Sequence, residues 1–364
     1  MHSFLMHFLG TFIHSIGMSV RPSVLFGRRL ALQRRSSMAA ALKTLPRAVL
    51  PPTLPCAHAD AFTSVPYCGN PACVVLLPPS DFPAAEWMQK VALEMHLSET
   101  AFLVPRSDGP TSYDLRWFTP TAEVDLCGHA TLASCKVLWD VHEADLGATL
   151  RFHTRSGVLT AMRDAAGVIS LDFPAAIAQP VPDPAAYAEP LLRAFGLGSA
   201  DEILWVGRNR IGGPGGGDLI VEVTPDAFGR LAKYPTSLSE ISRPGSVLEC
   251  RVLSLTCAGC PLAVPLPSAA EGDETGDDLP DAAVYDFTSR GFAPCVGIDE
   301  DPVCGSAHCA LGPLWANRLN KSTLLARVAS PRGGDVRVGV SGDRVSLGGH
   351  AVITMIGKLL HTNC

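Results

Sequence analysis

Two short stretches hold residues able to do chemistry in one shared frame. "DLCGHATLAS" runs from Asp125 to Ser134, and "DPVCGSAHCA" from Asp301 to Ala310. Each sets a Cys-Gly pair (Cys127-Gly128, Cys304-Gly305) at the head of an Ala-rich run that predicts a helix. A helix start leaves backbone N–H groups unpaired and carries partial positive charge, so two such starts at one cleft form a socket for a carboxylate. A carboxylate held there eases loss of a proton from the neighbouring carbon, because the developing enolate charge meets fixed donors. Gly128 and Gly305 let the backbone approach such a ligand closely.

That proton needs an acid/base to carry it. Glu99, in "LSETAFLV", stands where a predicted helix gives way to an apolar strand, which brings its side chain to a cleft edge. A carboxyl group does this work best with a pKa moved toward neutrality, as a dry cleft and a neighbouring acid would arrange. Asp301, His129 and Ser306 stand beside the two turns. Taken singly, each has a plainer role: Glu99 a surface acid, His129 a capping or core histidine, Asp301 a turn residue before Pro302, Ser306 a cap. Only the grouping around matching turns points to chemistry.

The elements that must position these residues repeat along the chain. Cys127, Gly128, Ala130 and Ala133 recur as Cys304, Gly305, Ala307 and Ala310, all 177 positions later. Arg155-Ser156-Gly157 meets Arg332-Gly333-Gly334 at the same offset, and "GVLTAMRDAAGVISL" parallels "GDVRVGVSGDRVSL". "FTP" (Phe118–Pro120) echoes "FAP" (Phe292–Pro294). Fixed-period similarity over this span implies two copies of one unit: strand, Cys-Gly turn, helix, hairpin. The two helices carry few charges and suit burial all round. The expected fold is therefore α+β, two pseudo-symmetric lobes with a buried helix among strands in each.

Other segments bound the reading. With 364 residues, 47% hydrophobic and 18% charged, the chain suits a globular protein of two ordinary domains. Its net charge of −6, without a basic stripe, argues against nucleic-acid binding. Cys257 and Cys260 form a lone CxxC without the further ligands a zinc site needs. "GGPGGG" (212–217) is too irregular for a nucleotide loop, and "AEGDETGDDLPD" (270–281) reads as a solvated insertion. Residues 1–59 contain no acid but carry Arg21, Arg28, Arg29, Arg34, Arg35, Lys43 and Arg47, which reads as a disordered or transit-like extension. Its apolar opening is short for a membrane span. The expected layout is this extension, a first lobe at 60–166 with the C-terminal strand as a candidate for completing it, and a second lobe at 167–364. Twelve cysteines without a disulfide-like spacing fit reduced thiols in the cytoplasm, with an organelle as the alternative if the extension is a transit peptide.

"DAFTSVPYCGNPACVV", "LSETAFLV", "RWFTPTAEVDLCGHATLAS" and "GFAPCVGIDEDPVCGSAHCAL" together closely resemble the PhzF-like (phenazine biosynthesis PhzC/PhzF) family. The resemblance runs from Asp60 to the C-terminus, the acidic insertion excepted. It implies a diaminopimelate epimerase-like fold, each lobe a β-barrel wrapped on a central helix. It also implies an isomerase without cofactor or metal, a homodimer acting on a small carboxylated metabolite. Within it, Glu99 matches the acid/base, and His129, Asp301 and Ser306 match the other catalytic positions. Gly69, Asn70 and Pro71 match a turn beside the substrate, with Cys127, Gly128, Cys304 and Gly305 lining the pocket. Two alternatives stand: a racemase using Cys127 and Cys304, since a thiol at a helix start is more readily ionised, and a non-catalytic binding or adaptor protein on the same fold.

Overall fold

A computed structural model of the chain describes residues 53–142, 147–209, 217–231, 235, 237–261, 264 and 284–360. Most of the N-terminal extension, the acidic insertion and nearly all of the "GGPGGG" loop lie outside them. The expected boundary at residue 60 falls inside strand β1 (Thr53–Ala61). Its alternating exposure at Thr53–Cys56 is that of a strand with one face on the core, and it pairs on both edges.

The first half continues with β2 (Asn70–Leu76), helix α1 (Ala85–Met95), β3 (Glu99–Pro105), β4 (Ser112–Phe118) and β5 (Glu123–Val124). Helix α2 (Gly128–Asp140), β6 (Leu150–Thr154), β7 (Gly157–Arg163) and β8 (Ile169–Pro174) follow. The second half holds β9 (Gln179–Pro180), α3 (Ala185–Phe195), β10 (Ile203–Arg208), β11 (Asp218–Val223), α4 (Pro225–Gly229), α5 (Ser239–Ser242) and β12 (Val252–Ala258). It ends with β13 (Phe287–Ala293), β14 (Ile298–Asp301), α6 (Gly305–Leu319), β15 (Thr323–Val328), β16 (Gly334–Ser341), β17 (Arg344–Gly349) and β18 (Ala351–Leu360). Asp81 and Pro83 suggest a helix start near residue 81, but α1 begins at Ala85 without a side-chain cap.

The pairing map is the repeat in three dimensions. β1–β2 is antiparallel, β2–β3 parallel, β3–β4 antiparallel, β4–β6 parallel, and β6–β7 and β7–β8 antiparallel. β10–β11, β11–β12, β12–β13, β13–β15, β15–β16 and β16–β17 repeat that order sense for sense. β8 and β17 occupy equivalent places and pair with each other, which joins the two curved sheets. β18 returns to β1, and β9 lies on β10.

Each sheet wraps a central helix. Every residue of α2 is buried except Lys136 and Asp140. Leu311 and Trp315 of α6 are core residues, and Trp315 stacks on Phe287 with ring centroids 5.6 Å apart. An apolar helix free of charge on nearly all faces is stable only where strands cover it on all sides. Matched ion pairs pin the turn ahead of each helix: Arg116 grips Glu123 at 2.6 and 2.7 Å, and Arg290 grips Glu300 at 2.7 and 2.9 Å. Both pairs are two-pronged and sheltered, the geometry in which such pairs hold best. No helix among the described residues is long and apolar enough to cross a membrane.

Candidate active site

The two Cys-Gly turns meet. A Cβ built on Gly128 would lie 3.5 Å from the Cα of Gly305, and one built on Gly305 would lie 3.4 Å from the Cα of Gly128. Cys127 and Cys304 are the N-cap residues of α2 and α6, so two helix starts stand side by side.

Glu99 opens β3 and is 8% exposed. Its Oε2 lies 3.1 Å from Nε2 of His129, the second residue of α2. The two atoms are close but not aligned as a hydrogen bond, and both are buried without another partner. On its other edge the imidazole meets Asn70 (Nδ1 to Nδ2, 3.0 Å) and Cys127 (Nδ1 to Sγ, 3.5 Å). The Asn70 amide donates to Asp301 Oδ1 at 2.5 Å and to the Val303 carbonyl at 3.0 Å. These two acceptors take its two N–H groups and orient the amide, leaving its Oδ1 buried and unpartnered. Asn70 therefore ties the first half's histidine to the second half's aspartate.

Gly69 makes this possible. Its φ of +63° is open to glycine, and its N–H bonds the Gly333 carbonyl at 2.9 Å. Its own carbonyl accepts from Arg332 Nε at 2.8 Å. The expected substrate-side turn is thus also a structural joint. Pro71 lies in β2 opposite Asp60. Ser306 sits on the far side of the helix junction, its Oγ 3.3 Å from Arg251 Nη1 and 3.6 Å from Cys304 Sγ. Arg251 in turn pairs with buried Asp218 at 2.7 Å. No motif marks Arg251 or Asp218; only an arginine just ahead of the apolar β12 run hints at it.

Burial opposes charge on His129, but Cys127 and Glu99 together hold its pKa well above the ordinary value. The Cys127 thiol is itself pushed up to about 11, by burial first and the Glu99 charge second. Near neutrality it is therefore the Glu99 carboxylate that supplies His129 with its counter-charge. The Asp301 carboxyl is raised, by burial first, with the Glu99 charge adding and His129 opposing. Cys304 is pushed well above the usual thiol value by burial and by Asp301. The two-thiol alternative relies on the helix starts to ease ionisation of these thiols; burial and the neighbouring acids outweigh that effect.

A raised histidine pKa means that the folded state holds its proton more tightly than the unfolded state. The stabilisation is complete below the unfolded value of about 6.5 and fades as pH climbs through the folded one. Half-buried His58 and His142 and buried His308 are shifted the opposite way and act below 6.5, and the raised cysteines act only above about 8.5. Between these limits, urea unfolding should show stability falling with pH in the native chain and a flatter dependence in His129→Asn.

One donor atom each from Glu99, Cys127 and His129 lies within 4.8 Å of the others. They do not fit one metal ion, because Glu99 meets the imidazole at Nε2 and Cys127 meets it at Nδ1, on the opposite edge of the ring. The cluster as a whole offers a base beside a charged imidazole, a raised acid across the cleft and two helix starts for an anion.

The sequence model described as "Phenazine biosynthesis-like protein" (PhzC-PhzF) matches residues 59–210 and 271–357, most of both halves. The chain belongs to the PhzC-PhzF family. An uncharacterized isomerase of Halalkalibacterium halodurans is 41% identical over 85% of this chain and 99% of its own length. "Phenazine biosynthesis-like domain-containing protein 2" of Mus musculus is 39% identical over 84% of this chain and 99% of its own. Among solved structures, a phenazine biosynthesis protein of the PhzF family from Enterococcus faecalis superposes with a TM-score of 0.66 at 33% identity, covering 85% of this chain and 99% of that one. The PhzC-PhzF membership spans both halves of the described fold and the junction between them.

Proposed function

We propose that this PhzC-PhzF protein is an isomerase that moves a proton between carbons of a small carboxylated metabolite, with Glu99 as general acid and base. One observation carries the reading: a buried Glu99 whose Oε2 has no aligned hydrogen bond, held beside His129 and next to two adjoining helix starts. A buried carboxylate oxygen without a partner is costly unless a ligand or proton completes it. The substrate carboxylate lies against the α2 and α6 starts, and Glu99 takes the proton from the adjacent carbon. The enolate is then protonated at another carbon by Glu99 or by Asp301, whose raised pKa suits a donor. His129 balances the charge on Glu99, and Ser306 completes the anion's cradle on the α6 side. A homodimer, a cytoplasmic setting and operation without a cofactor belong to the same reading.

The two-thiol alternative needs thiolates, and both candidate thiols are driven toward the neutral form. The deciding measurement is exchange of carbon-bound hydrogen for deuterium in a panel of small carboxylic acids, followed by NMR in deuterated water. Cys127→Ser and Cys304→Ser should keep exchange within about tenfold of the native rate, since neither loses a proton-transfer group of the kind worth about 10²–10⁴. Loss of exchange in both, with Glu99→Gln still active, would establish the thiol mechanism instead. Partner binding that survives Glu99→Gln and Asp301→Asn, with no exchange in any protein, would favour the adaptor.

A further inference from the structure

We propose that Arg251 is a positioning residue that acts through Ser306: its guanidinium turns the Ser306 hydroxyl toward the junction of the two helix starts, and this fixes the side on which a carboxylate is held. Arg251 immediately precedes β12, and β12 takes the place in the second half that β3, opened by Glu99, takes in the first. Ser306 takes the place in α6 that His129 takes in α2. In each half a charged residue at the head of that strand therefore meets the second residue of the central helix. Glu99 Oε2 lies 3.1 Å from His129 Nε2, and Arg251 Nη1 donates to Ser306 Oγ at 3.3 Å. The two meetings are opposite in charge. A bound carboxylate is repelled from the Glu99 side and drawn to the α6 side.

The ion pair with Asp218 does not account for the whole of Arg251. In the pairs Arg116–Glu123 and Arg290–Glu300 the arginine gives both Nε and Nη2 to the two carboxylate oxygens. Arg251 instead gives Asp218 Oδ2 a single bond from Nη2, at 2.7 Å, and that oxygen also accepts from Asn209 Nδ2 at 3.0 Å. Arg251 Nε and Asp218 Oδ1 are buried without hydrogen bonds. A pair built for stability alone would close both prongs. This one is set so that Nη1 reaches Ser306. A guanidinium only donates, so Ser306 Oγ is the acceptor and keeps its own hydrogen to give. Its other neighbour is the Cys304 sulfur at 3.6 Å, a weak acceptor while burial and Asp301 keep that thiol protonated. The hydroxyl hydrogen is left for an anion at the helix starts, and the guanidinium charge behind it strengthens that bond. The carboxylate of a bound acid thus lies on the α6 side, and the carbon that loses its proton lies toward Glu99. The inference rests on the anion-binding part of the proposed function, not on the proton transfer.

The test is binding of acetate, pyruvate, malonate and benzoate to the full chain, each against its neutral amide, by NMR saturation transfer, with the deuterium-exchange assay run beside it. Lysine keeps the charge paired with Asp218 but has no fork to reach Ser306 as well. Arg251→Lys should therefore weaken binding of the tightest acid about tenfold, the worth of one hydrogen bond to a charged group, and leave amide binding unchanged. Ser306→Ala should weaken acid binding at least as much. Arg251→Lys combined with Ser306→Ala should bind no more weakly than Ser306→Ala alone, because Arg251 acts through the hydroxyl. In exchange, Arg251→Lys should raise the half-saturating acid concentration about tenfold and lower the saturated rate less than about threefold, the pattern of lost binding rather than lost chemistry. Unchanged acid binding in Arg251→Lys or in Ser306→Ala overturns the proposal, as do losses that multiply in the double variant. Should Arg251→Lys fail to fold, Arg251→Gln with Asp218→Asn, which leaves no buried charge unpaired, takes its place with the same expected outcomes. Acid binding without exchange in the native protein would count against the isomerase reading alone; acids that bind no better than their amides would overturn both.

Discussion

Glu99→Gln should cut carbon-hydrogen exchange by about 10²–10⁴-fold, the contribution of a positioned acid/base, while leaving the melting temperature within a few degrees of the native protein. Glutamine keeps the shape of the side chain and can still meet His129 Nε2, but it has no lone pair basic enough to take a carbon-bound proton. The substitution also removes the charge that helps to hold the His129 pKa up, so the pH slope of stability between about 6.5 and 8.5 should shrink with it. Loss of activity together with loss of that slope identifies Glu99 as His129's counter-charge. Full exchange in Glu99→Gln would remove the residue from the mechanism.

That role was partly legible in the sequence. The 177-residue offset alone matches Cys127 to Cys304, because both turns must break a strand and start a helix in the same number of residues. The matched ion pairs were also within reach: Arg116 and Arg290 each stand two residues before a phenylalanine, and Glu123 and Glu300 each stand four before a cysteine. Longer-range contacts were not. Asn70 reaches Asp301 across 231 positions and between the halves, and Arg251 reaches Asp218 across 33, between the starts of the neighbouring strands β11 and β12, rather than by any local period. The thiols show the other limit. A helix start lowers a thiol pKa wherever water remains, and no spacing in the sequence reports how deeply Cys127 and Cys304 sink.

The repeat also shows how symmetry is broken to make a site. His129 in α2 corresponds to Ser306 in α6. Val124 follows Glu123 where Asp301 follows Glu300, so only the second copy supplies an acid at that place. The first copy brings Glu99, His129 and Asn70, and the second brings Asp301. A duplicated pair of helix starts thus supplies a symmetric place for an anion, and unlike side chains around it make its two faces chemically different. A molecule bound there meets a base with an imidazole on one side and a raised acid on the other.

Holding those faces together is the task of the turn at Gly69, and Gly69→Ala should be strongly destabilising. A Cβ at this position would fall 2.2 Å from the backbone carbonyl oxygen of Ala61 and 2.6 Å from Thr63 Cγ2. The first contact is with main chain inside β1, so relief requires the β1–β2 connection itself to move. A left-handed φ adds about 1–2 kcal/mol for a residue with a Cβ. Any shift also strains the bonds from Gly69 N to Gly333 and from Arg332 to Gly69 O, which fasten this turn to the β15–β16 connection. Together these costs should exceed about 3 kcal/mol, in the range reserved for backbone strain and overpacking in a core. Urea unfolding should report that loss. Because Asn70 is the next residue, exchange activity should fall in the fraction that remains folded as well. Gly157→Ala is the comparison: it too has a positive φ, +99°, but nothing lies within 4 Å of a Cβ there. Its penalty should stay near the conformational cost alone, about 1–2 kcal/mol, and its activity should be native. Equal losses in the two variants would show that Gly69 matters only as a flexible turn and that its tight seat between the halves contributes nothing.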